Sequence, residues 1–205
     1  MLVFPSFTTL KPDTAVTTLD AVLADNRLKL DQLLTQQAPS WDSLIEPMES
    51  LGEATSRSWG PISHLFGVWS TPEWRAAYNS ALPKITEYGV ELSQNEALFR
   101  AYERIAQSAD FKSFSPSRQK VVQDALRDFR LSGIALPAAE KERFKAISMR
   151  LSELQAKFEE NVMDSVQAYS HLITNVSELA GMSSAAMSGA AREVERIRDR
   201  RGAGA

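Results

Sequence analysis

The chain has 205 residues, of which 43% are hydrophobic and 24% are charged, a composition typical of a folded globular protein. Its 23 lysines and arginines against 26 aspartates and glutamates give a net charge of −3, so no global positive field is present and nucleic acid is not an expected partner. It contains no cysteine, which excludes disulfides and thiolate metal sites within this sequence.

The first predicted helix begins at Pro12 and continues to about Gln37. Proline suits a first helical turn, and apolar residues then recur with the helical period, whereas almost no segment of the chain alternates as a strand does. Ala38-Pro39-Ser40 ends this helix, because proline cannot donate a helical hydrogen bond and restricts the residue before it.

A second helix is expected after Ser40, whose side-chain oxygen can cap it. Pro47 lies inside the helical pattern, which predicts either a kink at that proline or a helix start as late as Ser43. The helix is expected to fade or bend again near Trp59-Gly60-Pro61.

Three further helices follow in the central part of the chain. Thr71-Pro72 is a cap followed by a first-turn proline, and the helix it begins is expected to kink at Pro83. A short helix is predicted over residues 95–107. Ser115-Pro116 repeats the start pattern, and Ser132-Gly133 ends that helix because glycine adopts the left-handed conformation at little cost.

The longest predicted helix occupies about residues 138–176, after Pro137. It contains the strongest periodic pattern in the sequence, with apolar residues spaced by three and four over about eight turns. These residues are Phe144, Ile147, Leu151, Leu154, Phe158, Val162, Val166, Tyr169 and Ile173. A final alanine-rich helix is expected after Ser183. The sequence thus predicts an all-α protein, a single multi-helix domain of antiparallel helices.

The chemistry-bearing residues do not form a catalytic motif. His64 and His171 are the two histidines, and the residues three positions before them are Pro61 and Ala168, so neither a His-Glu-x-x-His nor a Glu-x-x-His motif is present. Both histidines are interpreted as ordinary helical residues. No catalytic, cofactor-binding or metal-binding residue is predicted, and no substrate-binding residue is assigned.

Two other groups of residues have structural interpretations that outweigh functional ones. Glu140 with Glu142 and the adjacent Glu159-Glu160 are interpreted as solvated helix faces, because neighbouring helical positions point about 100° apart. Three tryptophans could form a recognition patch, but tryptophans at helix joints are more often core anchors. These are Trp59, Trp69 and Trp74.

The segment from Ala125 to Pro137, ALRDFRLSGIALP, closely resembles the N-terminal region of the oligopeptidase A family, in the thimet oligopeptidase group of zinc metallopeptidases. Further similar blocks occur in order on both sides of it, from about Phe4 to about Ala191. They include Pro61-Ile-Ser-His-Leu65, Ala81-Leu-Pro83, Arg150-Leu-Ser-Glu-Leu154, Leu172-Ile-Thr174 and Glu178-Leu-Ala-Gly-Met182.

The resemblance implies a helical N-terminal domain that forms part of one wall of a deep channel for short peptides. In the family, zinc is held by residues of the C-terminal region, which has no counterpart in this sequence, so no zinc ligand is carried over. The chain is therefore expected to be inactive alone, and no cofactor is predicted for it. Whether this sequence is a truncated gene product or an independent short paralogue is left open.

The resemblance divides the chain into a domain of residues 1–191 and a divergent tail of residues 192–205, rich first in arginine and then in glycine and alanine. The alternative function is a stand-alone helical module that binds a peptide, a helical protein or a second copy of itself.

The N-terminal MLVFPSF does not match a secretory signal, and no run approaches the roughly 18 apolar residues of a membrane span. A cytoplasmic location without a membrane partner is expected.

Overall fold

A computed structural model describes residues 7–202, and their side chains as far as Ile197. Within this range helices are the only regular secondary structure, which confirms the predicted all-α class. Seven α-helices follow one another in the described part of the chain: α1 Pro12–Leu34, α2 Glu46–Val68, α3 Pro72–Ser93, α4 Glu96–Gln107, α5 Pro116–Leu131, α6 Ala138–Ala168 and α7 Ser184–Gly202. A π-helical turn, Trp41–Ile45, and two 3-10 turns, Ala109–Ser113 and Val176–Leu179, complete the elements.

Some of the sequence features above lie outside the described residues. These are most of the N-terminal MLVFPSF, the last three residues of the Gly/Ala-rich tail and the side chains of the last arginines. The predicted boundary between residues 191 and 192 stays a prediction.

Side-chain caps begin three of the helices, and two of these caps, Thr71 and Ser115, are predicted from the sequence. Thr71 accepts a hydrogen bond from the backbone N–H of Trp74, and α3 begins at Pro72. Ser115 accepts one from the N–H of Arg118 at the start of α5. Asn95 does the same for α4, with 2.9 Å between its Oδ1 and the nitrogen of Leu98. Each cap satisfies a first-turn N–H that has no partner within the helix.

The segment after Ser40 begins with the π-helical turn rather than with a regular α-helix. Ser40 accepts from the N–H of Ser43, and the hydroxyl of Ser43 accepts from the N–H of Ser40, so the two serines form a reciprocal capping box. Regular α2 starts at Glu46, which leaves Pro47 in its first turn, where proline costs least.

Of the two outcomes predicted near Trp59-Gly60-Pro61, fading of the second helix is wrong, because α2 continues through Pro61 to Val68. Pro61 and Ile62 are both buried, as are Leu65 and Phe66 one turn later. The burial of this apolar face compensates for the backbone hydrogen bond that proline removes. Pro83 is likewise accommodated within α3.

The predicted extent of the longest helix also needs correction, since α6 ends at Ala168 and not near residue 176. The next seven residues, YSHLITN, are non-helical up to the cap Asn175. Tyrosine, serine, histidine, threonine, asparagine and β-branched isoleucine all have modest helix propensity, so apolar spacing alone does not continue the helix here.

The turn between α5 and α6 has the geometry that its glycine predicts. Gly133 has φ of +78°, the N–H of Ile134 donates to the carbonyl of Phe129, and the N–H of Gly133 donates to the carbonyl of Arg130. This pattern is a Schellman motif, which satisfies the last carbonyls of α5.

Contacts group the chain into two compact units, an N-terminal unit of Met1–Lys157 and a C-terminal unit of Phe158–Ala205. In the N-terminal unit, α1 packs on α2 and α3, α2 packs on α3, and α4 packs on α5. Asn26 of α1 is its one buried polar residue among those described, and its amide donates to the carbonyl of Leu51 and to Oγ1 of Thr55. The most deeply buried apolar residues are Leu19, Leu44, Ile45, Ile62, Leu98, Ile105 and Val122.

The C-terminal unit consists of the end of α6, a non-helical segment, a 3-10 turn and α7. None of its side chains described from Phe158 to Ile197 is buried.

Candidate functional site

The two histidines lie in different units of the chain. His64 is exposed on α2, with its ring centroid 5.5 Å from that of Phe7. His171 is exposed in the non-helical segment after α6 rather than in the predicted helix. Within residues 7–197, no three histidine or carboxylate side chains come together in a way that could hold a metal ion. The donors present therefore do not fit the two-histidine, one-carboxylate site of a zinc peptidase.

The carboxylates singled out from the sequence belong to solvated surfaces. Glu140, Glu142 and Glu159 are exposed, as expected of a helix face in water, and Glu160 is partly buried. These side chains do not form a facing acidic pair in the sense needed for proton transfer, because they occupy adjacent or alternate positions on one helix.

The tryptophans divide between the core and the surface. Trp74 is buried, and Trp59 is half-buried against Tyr78 with ring centroids 5.1 Å apart, so both act as core anchors. The same interpretation is wrong for Trp69, whose side chain is 63% exposed. Trp69 directly follows the last residue of α2, and Ser70 after it has φ of +20°.

A fourth tryptophan, Trp41, lines a surface cleft of about 650 Å³ that the sequence does not reveal. The Arg118 guanidinium lies 4.6 Å from the centroid of the indole, and Trp41 Nε1 donates to a carboxylate oxygen of Glu46. Asp42 and Asp110 also line the cleft. Because charges of both signs are present, the cleft does not favour an ionic ligand of either sign.

The helix α6 contacts α3 and α4 through polar side chains, and its one buried residue among those described is the small Ala156. Lys141 forms an ion pair with Glu96 of α4 at 2.6 Å, and Lys145 forms one with Glu87 of α3. The Ser152 hydroxyl lies 3.0 Å from that of Thr86. The hydrogen bonds from Lys145 and Lys141 lower the pKa of Glu87 and of Glu96 respectively, because each carboxylate accepts from an ammonium group.

The opposite side of α6 exposes the apolar residues that give this helix its periodicity. Ile147, Leu151 and Leu154, which we call the α6 stripe, are 57%, 55% and 49% exposed. Phe144, one turn before them, is half-buried. Apolar residues recurring at this spacing normally face a protein core, so the α6 stripe has the character of a buried face although it is exposed. The sequence identifies its residues, but not the direction in which they point.

The C-terminal unit contains its own cleft of about 530 Å³. Tyr169, His171 and Ile173 line one part of it, and Val194 and Ile197 of α7 line another. The lining is a mixture of apolar and polar groups without a cluster of catalytic side chains. None of the described helices combines the length and apolarity that crossing a membrane would require.

Comparison with known proteins reveals one family. Residues 19–143, more than half of the chain, match the family model described as the neurolysin/thimet oligopeptidase N-terminal domain. Oligopeptidase A of Salmonella typhimurium is 36% identical over 192 residues, and oligopeptidase A of Escherichia coli is 34% identical over 192 residues; both alignments cover 93% of this chain. The probable cytosolic oligopeptidase A of Arabidopsis thaliana is 34% identical over 184 residues.

The coverage of these relatives is strongly asymmetric. The same alignments cover 28% of the two bacterial proteins and 26% of the plant protein. The chain therefore spans little more than a quarter of the length of the relatives it matches. Most of each relative has no counterpart among these 205 residues.

Proposed function

This chain belongs to the neurolysin/thimet oligopeptidase N-terminal domain family, and from that premise we propose that it is a channel-wall domain of an oligopeptidase A-like peptidase with no peptidase activity of its own. The observation that carries the proposal is the family match over residues 19–143, extended to 93% of the chain by the bacterial oligopeptidases A. The family resemblance implies a zinc centre elsewhere in the assembled enzyme.

In this proposal the helical domain acts by shape. A rigid wall of packed helices beside a zinc centre admits an extended peptide and excludes folded proteins, so specificity for short peptides comes from steric access. The N-terminal unit supports such a role, because its helices are tied together by a buried apolar core and by the ion pairs that anchor α6. Short peptides are the proposed substrates of the assembled enzyme, and the cytoplasm is the proposed location.

The positions of the residues that could bind zinc support the proposed inactivity of the chain itself. Hydrolysis by a zinc peptidase needs three protein ligands and a general base, whereas the two histidines here lie in different units. We therefore expect no chelator-sensitive hydrolysis by the purified chain.

The first experiment measures hydrolysis of a quenched fluorescent octapeptide by the purified chain, with and without added zinc. E. coli oligopeptidase A, assayed on the same peptide, is the positive control. The expected rate for the chain equals that of buffer. Hydrolysis that a chelator abolishes would overturn the proposed inactivity.

The second experiment tests the wall role with a chimera in which this chain replaces the matching N-terminal region of E. coli oligopeptidase A. Hydrolysis of the octapeptide is expected, because the aligned regions are 34% identical over 192 residues. The matched control is the same chimera with Ile62→Asp, which places a charge in the core and is expected to abolish activity. A chimera that folds and binds zinc but does not cleave the peptide would contradict the wall role.

A further inference from the structure

We propose that the outward face of α6 docks an amphipathic helix with acidic residues beside its apolar face, supplied by the region that follows this domain in oligopeptidase A relatives. The proposal rests on the function proposed above and names the surface through which the domain joins its partner. Three features of the N-terminal unit support it, namely the orientation of α6, the spacing of its exposed apolar residues and the charge along one edge.

The orientation of α6 is the first feature. Its contacts with α3 and α4 use Lys141, Lys145 and Ser152, while Ile147, Leu151 and Leu154 face outward. A surface helix normally has the reverse arrangement, with its apolar stripe on the core and its charges in water. Because three large aliphatic side chains in a row are left exposed, this face has the character of an interface.

The spacing of the α6 stripe fits another helix in particular. Steps of three, four and three residues from Phe144 to Leu154 keep the side chains within an arc of about 80° at roughly 100° per residue. This is the spacing with which side chains of one helix enter the gaps of a facing helix. An extended strand would not match it, because side chains of a strand repeat every two residues.

The charge on one edge of the stripe specifies the partner further. Arg143, Arg150 and Lys157 are exposed and are spaced seven residues apart, so they form a basic row along one side of the stripe. The other edge has the uncharged Ser148 and Gln155. Flanking positions of this kind set the choice of partner in paired helices through opposite charges.

Arg150 remains able to bind an incoming carboxylate although it already has an ion partner. Its guanidinium lies 2.6 Å from a carboxylate oxygen of Glu153 one turn later, and both side chains are largely exposed. Exposed pairs of this type are weak, and a guanidinium has five N–H donors. A partner carboxylate can therefore share the group or replace Glu153.

The same basic row argues against a second copy of the chain as the occupant. In an antiparallel pair of α6 helices, Arg150 would face its own counterpart and Arg143 would face Lys157, which places like charges together. In a parallel pair the row would face Ser148 and Gln155, which offer no compensating charge. An acidic helix presents opposite charge to the row in either direction, whatever interactions its members already make.

The first experiment measures binding of the full chain to two synthetic helical peptides by fluorescence anisotropy. Both peptides have the same leucine stripe at heptad spacing, but one has glutamates and the other lysines at the flanking positions. The acidic peptide is expected to bind about tenfold more tightly, with a preference that declines as salt is raised from 0.05 to 0.5 M.

Three variants assign this binding to the proposed surface. The double variant R143E/R150E is expected to reverse the preference in favour of the basic peptide, and Leu151→Glu is expected to abolish binding of both. Leu28→Glu is the matched control, because Leu28 is also an exposed leucine on a helix, at 64% exposure on α1, and it is expected to bind like the wild type. Circular dichroism verifies that every variant keeps its helix content.

Several results would overturn the proposal. Equal affinity for the two peptides, no binding of either one by the folded chain, or a dimer of the chain that Leu151→Glu dissociates would each do so. These readouts do not involve hydrolysis, so an active chain or an inactive chimera would overturn the proposed function while leaving the peptide preference in place.

A second experiment tests the source of the partner helix. Overlapping peptides of about 25 residues, long enough to form several helical turns, cover the part of E. coli oligopeptidase A beyond its aligned 192 residues. Binding of the full chain is expected at acidic amphipathic peptides and is expected to disappear with Leu151→Glu. Binding of the designed acidic peptide without binding of any of these peptides would contradict the assigned source.

Discussion

The N-terminal and C-terminal units differ in what they do with their apolar side chains. Among the residues whose side chains the structure describes, all the buried hydrophobic ones lie in the N-terminal unit, between Ala15 and Ala156. In the C-terminal unit, Phe158 is 69% exposed, Val166 69% and Tyr169 77%. Both units are helical and contain similar apolar residue types, so helix content and composition do not account for the difference.

The comparison shows that a strong apolar period indicates a face that requires a partner, without indicating which partner. The helix α4 has its apolar face, Leu98, Tyr102 and Ile105, buried in the N-terminal core. The helix α6 has the more extended period, and yet most of its large apolar residues are exposed on both sides of the boundary between the units. What distinguishes the two helices is the polar side of α6, which makes the ion pairs with α3 and α4.

The contrast between the two units predicts that removing an apolar side chain lowers the free energy of unfolding much more in the N-terminal unit than in the C-terminal unit. Ile62→Ala removes a fully buried side chain, so a loss of about 2 to 5 kcal/mol in the free energy of unfolding is expected. Phe158→Ala removes an exposed one and is expected to change it by no more than about 0.5 kcal/mol. Urea titration measures both; a large cost for Phe158→Ala would mean that the C-terminal unit has a core of its own.

The two units also differ in the burial of polar side chains, as Asn26 and Asn161 show. Asn26→Ala removes a buried amide that donates to the carbonyl of Leu51 and to the hydroxyl of Thr55, so a loss of about 1 to 3 kcal/mol is expected. Asn161→Ala, at an exposed position of α6 in the C-terminal unit, is the matched control and is expected to have little effect. Equal costs in chemical denaturation would contradict the role assigned to Asn26.

Two glycines with positive φ provide a matched pair, one in each unit. At Gly133 an added Cβ would lie 2.5 Å from Cδ1 of Leu136, whereas at Gly181 it would meet no atom within 4 Å. Gly133→Ala therefore combines a steric conflict with backbone strain and is expected to cost more than about 1 kcal/mol. Gly181→Ala involves the strain alone. Thermal unfolding of the two variants is expected to show the larger decrease for Gly133→Ala, and the reverse order would contradict this account.

The smallest expected effect concerns the ion pair that holds the polar side of α6. The pKa of Glu87 is lowered because its carboxylate accepts a hydrogen bond from Lys145. A lowered pKa in the folded state gives stability that is present above the unfolded pKa of about 4.3 and is lost as the pH falls through the folded pKa. Glu87→Gln is therefore expected to lower stability at pH 6 and to have less effect at pH 3.

A double-mutant comparison assigns this pH dependence to the pair. In a Lys145→Met background, Glu87→Gln is expected to change the pH dependence of urea unfolding much less than it does in the wild type. An undiminished effect would mean that Glu87 interacts mainly with another group.

Much of the local structure could be predicted because its causes lie within a few residues. The caps Thr71 and Ser115 bond to N–H groups three positions later, and Gly133 closes α5 through backbone hydrogen bonds of the same short range. The family could also be recognised from the residue order in the segment that contains Gly133. Residues 19–143 match the model of that family. The apolar residues of the α6 stripe are also evident from their spacing in the sequence.

Some of the features that sequence reasoning missed depend on residues far apart in the chain. The continuation of α2 through Pro61 requires the core that receives Ile62. The seven-residue spacing of Arg143, Arg150 and Lys157 is visible in the sequence, but it gains meaning only once the stripe beside it is known to face outward.

The sequence by itself therefore determined the helices, their starts and turns and the family, because hydrogen bonding and backbone preferences act over one helical turn. Tertiary structure alone decided which side of α6 faces the other helices. That choice depends on the pairing of Lys145 with Glu87, 58 positions away, and of Lys141 with Glu96, 45 positions away. No local period of the sequence encodes such contacts, since burial is a property of the assembled helices rather than of any one of them.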